Sequence, residues 1–224
     1  MGANEKWAAA TRAWLRERGI LMLNLIGSPG SGKTALLERM VGALRRESSF
    51  AVLEGDVETT CDAERLHALG VPVSQLLSGG ACHLEAKLVH HALRDLAVDR
   101  LDLVFVENVG NLVCPAEFDI GEDAKVAVLS VAEGEEKPLK YPLLFREAAA
   151  VVLTKIDLVP HLDFDLEACR HHLRQVSGMR PVFEVSARTG AGVEDFTRWV
   201  LDRRPSRGAA AGAEHEPGPR RDSR

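Results

Sequence analysis

The sequence predicts an α/β fold, a mostly parallel central sheet flanked by helices. Short apolar runs such as "ILMLNLIG" (20–27) and "LDLVFVENVG" (101–110) read as strands buried on both faces. Segments with helical spacing, such as "ALLERMVGALRRE" (35–47) and "HLEAKLVHHALRDLA" (83–97), alternate with them. A glycine-rich stretch, "GSPGSGKT" (27–34), joins the first run to the first such segment. This alternation needs a parallel sheet, because a helix must carry the chain back before each parallel neighbour can begin.

Taken in order, residues 4–18 read as an amphipathic lead-in helix, with Trp7, Ala10, Trp14 and Leu15 on one stripe. The first strand follows at 20–27 and its helix at 35–47. "FAVLEGD" (50–56) is the second strand and "PVSQLLSGG" (72–80) the third, with helix 83–97 after it. The acidic "DVETTCDAERL" between them is expected to be a loop. The fourth strand, 101–110, precedes "KVAVLSVAEG" (125–134), "AAVVLTKID" (149–157) and "PVFEVSA" (181–187). Helices are expected near 141–148, 164–176 and 193–204. The organisation is then a lead-in helix (1–18), a nucleotide-binding domain (19–204) and a tail (205–224). The tail is rich in Pro, Gly, Ala and charge, a composition that buries too little to order itself.

The chain has 224 residues, 46% of them hydrophobic, enough for a full core. A net charge of -5 gives no sign of a nucleic-acid or membrane surface. The mixed-charge N-terminus lacks the apolar stretch of a signal peptide, and no run approaches the roughly 18 apolar residues of a membrane span. A cytoplasmic, reducing setting is expected, where clustered cysteines are more often metal ligands than disulfides.

"GSPGSGKT" matches G-x-x-x-x-G-K-[ST] between a strand and a helix, the context this motif requires. Gly27, Ser28, Pro29, Gly30, Ser31 and Gly32 form the loop whose backbone N–H groups, all but that of Pro29, converge on phosphate. The helix directs its positive end at the same anion. Lys33 is placed to reach the β/γ-phosphates, and the Thr34 hydroxyl to ligate Mg²⁺. "TKID" (154–157) puts Asp157 where a purine would lie. Its carboxylate accepts from guanine N1–H and N2–H₂ together, a donor pair adenine lacks, which points to GTP. The Lys155 stem can cover the base plane, and the backbone near Ser186 and Ala187 can meet guanine O6. Thr154 stands where this motif more usually has Asn; its hydroxyl can still bridge to the phosphate loop. Asp56 and Glu107 end the second and fourth strands on the same sheet edge, so either can hold Mg²⁺ or position water. Asp102 starts its strand at the opposite edge and reads as structural. Gly110 can approach the γ-phosphate because it lacks Cβ. No Gln follows it, so slow intrinsic hydrolysis is expected.

No CxxC pair occurs among Cys61, Cys82, Cys114 and Cys169, which excludes a self-contained zinc finger. Cys82 and His83 follow the third strand at an expected helix start, a position that favours the thiolate. Cys114 follows the fourth strand on the same edge. Two readings stand: a three-donor metal site that a two-fold dimer would complete, or small buried thiols with a helix-start histidine. Cys61 reads as a surface thiol or an accessory ligand. His83, Lys87 and His90 share a helix face that reads as solvated, and Cys169, His171 and His172 read as structural.

Together "GSPGSGKT", "EGDVETTCDAERL", "GGACHLEA", "FVENVGNLVCPAEFDIGE", "EEKPLKYPLLFREA" and "TKIDLVP" resemble the HypB family of SIMIBI-class P-loop GTPases. The resemblance covers residues 20 to 160. It implies a GTPase that loads nickel into nickel–iron hydrogenase and forms a homodimer when GTP-bound. It implies a Ni²⁺ or Zn²⁺ site at the dimer interface, on Cys82, His83 and Cys114. Implied partners are a HypA-like nickel chaperone and the hydrogenase large-subunit precursor. The alternative is nickel delivery for urease or another SIMIBI metallochaperone. The urease GTPases carry Cys-Pro-His, whereas Ala116 follows Cys114-Pro115 here. A CxxCGC motif and a His-rich stretch, found in some HypB proteins, do not occur before Cys61. Delivery is therefore expected to rest on the G-domain site or a partner. Seven residues separate Glu107 from Cys114, at most about 25 Å of chain. A shift driven by γ-phosphate can thus move a metal thiolate.

Overall fold

The computed structural model describes residues 2–56, 61–96 and 100–205, with Asp56 and Cys61 described in their backbone alone. In chain order the elements are α1 (Ala3–Arg18), β1 (Leu21–Ile26), α2 (Lys33–Glu47), β2 (Phe50–Asp56), α3 (Cys61–Ala68), β3 (Val73–Leu77), α4 (Ala86–Asp95) and β4 (Leu103–Glu107). There follow α5 (Cys114–Glu117), β5 (Ala124–Ser130), α6 (Lys137–Lys140), α7 (Pro142–Glu147), β6 (Ala150–Thr154), α8 (Leu166–Ser177), β7 (Val182–Glu184) and α9 (Val193–Asp202). The strands form one sheet in the order β3-β2-β4-β1-β5-β6-β7, every pair parallel. The expected α/β architecture is therefore present. Strands β2, β3 and β4 lie on one side of β1 and β5, β6 and β7 on the other, so the crevice for a ligand opens at the carboxyl end of β1.

Alternation along β1 divides the core. Leu21, Leu23 and Leu25 face α2 and α9, packing with Leu37, Met40, Phe196 and Val200. Met22 faces α1 and α4 with Leu15, Val89 and Leu93. Ile26 joins the layer of α7 and α8 with Phe145 and Leu173. Asn24, buried on the same side as Met22 and Ile26, is satisfied by donating to Glu122 at 3.2 Å and accepting from Asn108 at 3.0 Å. Asp102 accepts from the Ser49 N–H at 2.8 Å, at the edge away from the phosphate loop.

Several expectations are corrected. The buried stripe of α1 is Ala8, Thr11 and Leu15, flanked by half-buried Trp7 and Trp14, and Ala10 faces solvent. Helix α4 begins at Ala86, so Cys82 and His83 lie in the preceding loop and not at a helix start. His90 consequently does not share a helix face with His83; it is buried against Trp7 and bonds Thr11 Oγ1 through Nδ1 at 3.1 Å. Part of the expected loop 56–66 is helical, as α3. In the sheet β2 lies between β3 and β4, the strands that precede the Cys82 and Cys114 loops. Gly55 shows how the two loops still meet. A Cβ there would lie 2.7 Å from Leu84 and 3.1 Å from the Glu107 carbonyl, so its absence lets the β3–α4 loop cross the end of β2 toward β4. The expected tail beyond Pro205 lies outside the described residues.

Candidate functional site

The phosphate loop runs from the end of β1 into α2, and its closing side chains are already in place. Thr154 Oγ1 donates to the Ser31 carbonyl at 2.5 Å, and Lys155 Nζ to the Gly30 carbonyl at 2.7 Å. Two residues at the end of β6 thus brace the loop from the far side of the crevice. Lys33 turns back on the Gly27 and Ser28 carbonyls at 3.2 and 3.3 Å. Burial lowers its ammonium from the ordinary lysine range, against the pull of Glu107. The Ser31 hydroxyl is buried and has no hydrogen-bond partner among the described residues. A phosphate would relieve both groups, since a buried cation and an orphaned donor are each costly.

Asp157 stands at the start of the 3-10 turn Ile156–His161, and its Oδ1 accepts from Ser186 Oγ at 2.6 Å. The Ser186 hydroxyl itself accepts from the Thr189 N–H at 3.1 Å, which fixes the direction of its proton toward the carboxylate. Ser186 N–H is committed to the Ala191 carbonyl at 2.9 Å, so it does not point at a base as expected. Ser186 instead holds the carboxylate.

Glu107, the last residue of β4, accepts from Thr34 Oγ1 at 2.8 Å. Its second oxygen, Oε2, is buried without a hydrogen-bond partner among the described residues. Burial is the main cause that pushes its carboxyl up to about 7, opposed by Lys33 and by the Thr34 hydrogen bond. A hydroxyl and a carboxylate with one orphaned oxygen, beside the phosphate loop, fit a hard divalent cation. The Asp56 side chain, expected in the same role, lies outside the described residues.

After Glu107 the chain runs along the phosphate loop. A Cβ on Gly110 would lie 2.6 Å from Pro29 Cγ, so only glycine permits this approach. Asn111 then reaches across to the second loop. Its Nδ2 donates to the Cys82 carbonyl at 3.0 Å and its Oδ1 accepts from the Val113 N–H at 2.9 Å. Cys114 opens α5. Cys82 Sγ and Cys114 Sγ lie 2.6 Å apart, with His83 Nδ1 3.6 Å from the Cys82 sulfur. All three residues offer donor atoms within 4.8 Å of one another; Cys82 is exposed, and His83 and Cys114 are partly buried. The His83 ring stacks on Phe118 at 3.7 Å. The cluster joins soft sulfur to imidazole, a donor set suited to nickel or zinc. The hydrogen bond shared with Cys114 raises the Cys82 thiol above its ordinary value. With α4 starting only at Ala86, Cys82 lacks the expected helix-start activation; a bound cation would displace its proton. Cys169 is buried among the residues of α7 and α8, and burial pushes its thiol up to about 12.

A description of the CobW/HypB/UreG nucleotide-binding domain matches residues 21–184, from the phosphate-loop strand to the last strand. The chain belongs to the CobW/HypB/UreG family. Within it, the hydrogenase maturation factor HypB of Azotobacter vinelandii is 50% identical over 207 residues, covering 92% of this chain and 68% of the relative. The hydrogenase/urease maturation factor HypB of Helicobacter hepaticus is 40% identical over 208 residues, covering 91% and 85%. A crystal structure of HypB from Helicobacter pylori in complex with nickel superposes with a TM-score of 0.86 at 35% identity, covering 92% of this chain and 99% of that one.

In this CobW/HypB/UreG chain, sequence motifs located the phosphate loop and the sulfur-bearing loops but not the side chains that support them. Asn111 and Phe118 carried no motif of their own. A polar side chain inside "NVGNLVCP" was the available signal for Asn111; its partner, Cys82, lies 29 residues away.

Proposed function

We propose that this chain is a GTP-hydrolysing metallochaperone that delivers nickel during maturation of nickel–iron hydrogenase. The observation that carries the reading is one short segment with two duties. Residues 107–114 touch the phosphate loop at Thr34 and Pro29 through Glu107 and Gly110, and the same segment ends on Cys114, 2.6 Å from Cys82. The relatives' names and the nickel bound to the Helicobacter pylori protein support nickel as the cargo. Zinc suits the same donors.

Asp157, held by Ser186, selects guanine, and Lys155 covers the base. Lys33 exchanges the Gly27 and Ser28 carbonyls for phosphate oxygens. Thr34 and Glu107 would hold Mg²⁺, which offsets charge on the β- and γ-phosphates. The γ-phosphate presses on the segment beginning at Gly110, and this displaces Cys114 relative to Cys82 and His83. Binding of GTP closes two such chains into a homodimer whose shared face completes the nickel ligands. A HypA-like nickel chaperone supplies the ion and the hydrogenase large-subunit precursor receives it, in the cytoplasm. No helix among the described residues is long and apolar enough to cross a membrane.

Titration of the full chain with NiCl₂ tests the cargo site through thiolate-to-nickel charge-transfer absorption. A saturable band is expected in the wild type and none in Cys114→Ala. An undiminished band in the variant contradicts the reading. A second reading, delivery to urease, is favoured by the double designation of the Helicobacter hepaticus relative. A deletion strain separates the two by which nickel enzyme then accumulates without its metal.

A further inference from the structure

Helix α1 takes part in none of the steps above, yet its second residue touches both sulfur-bearing segments. Asn4 Oδ1 accepts from the Ala86 N–H at 3.0 Å. Asn4 Nδ2 donates to the Asp119 carbonyl at 2.8 Å. Both partners are backbone groups, so the amide can adopt only this orientation. Ala86 opens α4 three residues after His83. Asp119 directly follows Phe118, whose ring stacks on His83, and lies five residues after Cys114. One carboxamide therefore ties the loop of Cys82 and His83 to the segment of Cys114 and Phe118. Asn111 makes the corresponding tie from the nucleotide side, through the Cys82 carbonyl.

Asn4 is not needed to dock α1. Ala8, Thr11 and Leu15 already bury that helix, and Thr11 bonds His90. Arg12 reinforces the Asp119 end. Its Nη2 lies 2.7 Å from Asp119 Oδ1, an oxygen that also accepts from the Gly121 N–H at 2.8 Å. Asn4 thus acts where α1 meets the two loops, and not within the helix's apolar contact.

The geometry points to Asn4 as a positioning residue for nickel, through which α1 sets the spacing of the His83 and Cys114 segments. This rests on the reading of Cys82, His83 and Cys114 as the cargo site. The test uses the full chain as wild type, Asn4→Ala, Arg12→Ala and Cys82→Ala. Nickel affinity and the charge-transfer spectrum are measured beside GDP affinity and Tm. Alanine is a good helix former, so α1 should persist in Asn4→Ala. Nickel binding in that variant should weaken about 10- to 100-fold, the range for residues that orient metal ligands. Its absorption band should move, with GDP affinity unchanged. Arg12→Ala should shift both nickel readouts in the same direction by less, and it decides the matter if Asn4→Ala does not fold. Unchanged nickel affinity and spectrum, or a parallel fall in GDP affinity, overturn the proposal. If the wild type shows no more nickel absorption than Cys82→Ala, the cargo site itself fails, and Asn4's role with it.

Discussion

Glu107 concentrates the site's chemistry in one buried carboxylate. Its carboxyl, ordinarily near 4.5, is pushed up to about 7, chiefly by burial. Between those values the folded, nucleotide-free protein holds a proton that the unfolded chain has lost. The stability this proton confers is full below about pH 4.5 and is lost as pH rises toward 7. A cation at Thr34 and Glu107 needs the carboxylate and must displace the same proton. Mg²⁺ affinity of the GDP complex should therefore rise across about pH 6 to 8, as read by isothermal titration at several pH values. Glu107→Gln should abolish that slope while weakening Mg²⁺. A second prediction concerns Asp157. Asn in its place donates where the carboxylate accepted, so preference should pass from GTP toward xanthosine triphosphate. Hydrogen bonds to a charged group contribute roughly 1.5–3 kcal/mol, so competition assays should show GTP binding weakened about 10- to 100-fold. Undiminished GTP preference would remove Asp157 from the base site.

Among the elements, the segment from Glu107 to α5 links the phosphate loop and the sulfurs. Gly110→Ala places a Cβ 2.6 Å from Pro29 Cγ, against a rigid ring. Overpacking of this kind costs roughly 1–3 kcal/mol, so Tm should fall. Nickel affinity in the GDP and GTP-analogue states should converge, because the segment can no longer rest on the loop. An unchanged ratio of the two affinities would show that the contact transmits nothing. The strands of this region were legible because their aliphatic and β-branched runs are short, and helical segments alternate with them; β2 falls on Phe50–Asp56 as the run "FAVLEGD" predicts. The phosphate loop was legible because its chemistry is local to eight residues. The start of α4 was not. "HLEA" has helix-forming letters, but Leu84 is drawn across Gly55 and keeps the chain extended up to Glu85. Helix α3 was missed because its charged residues show no apolar stripe long enough to separate it from a loop. The Asn4 and Asn111 contacts were invisible in sequence, since their partners lie 82, 115 and 29 positions away.

At the scale of the whole molecule, the sheet order explains why the Cys/His cluster and the phosphate loop adjoin. All strands are parallel, so every carboxyl end opens on one edge. The phosphate loop after β1, Glu107 after β4 and the crossing loop after β3 must share it. The three sulfur and imidazole donors are one short of a closed tetrahedral set, which a second chain would supply in the proposed homodimer. Light scattering should accordingly show the dimer with a non-hydrolysable GTP analogue and nickel, and mainly monomer with GDP. The most direct measurement of the coupling is the nickel affinity and charge-transfer spectrum of the full chain in those two nucleotide states. Coupling between sites of typical strength changes affinity about 5- to 150-fold, and a difference in that range with a shifted band is the expected result. The same affinity and the same spectrum with GDP and with the GTP analogue would contradict the account.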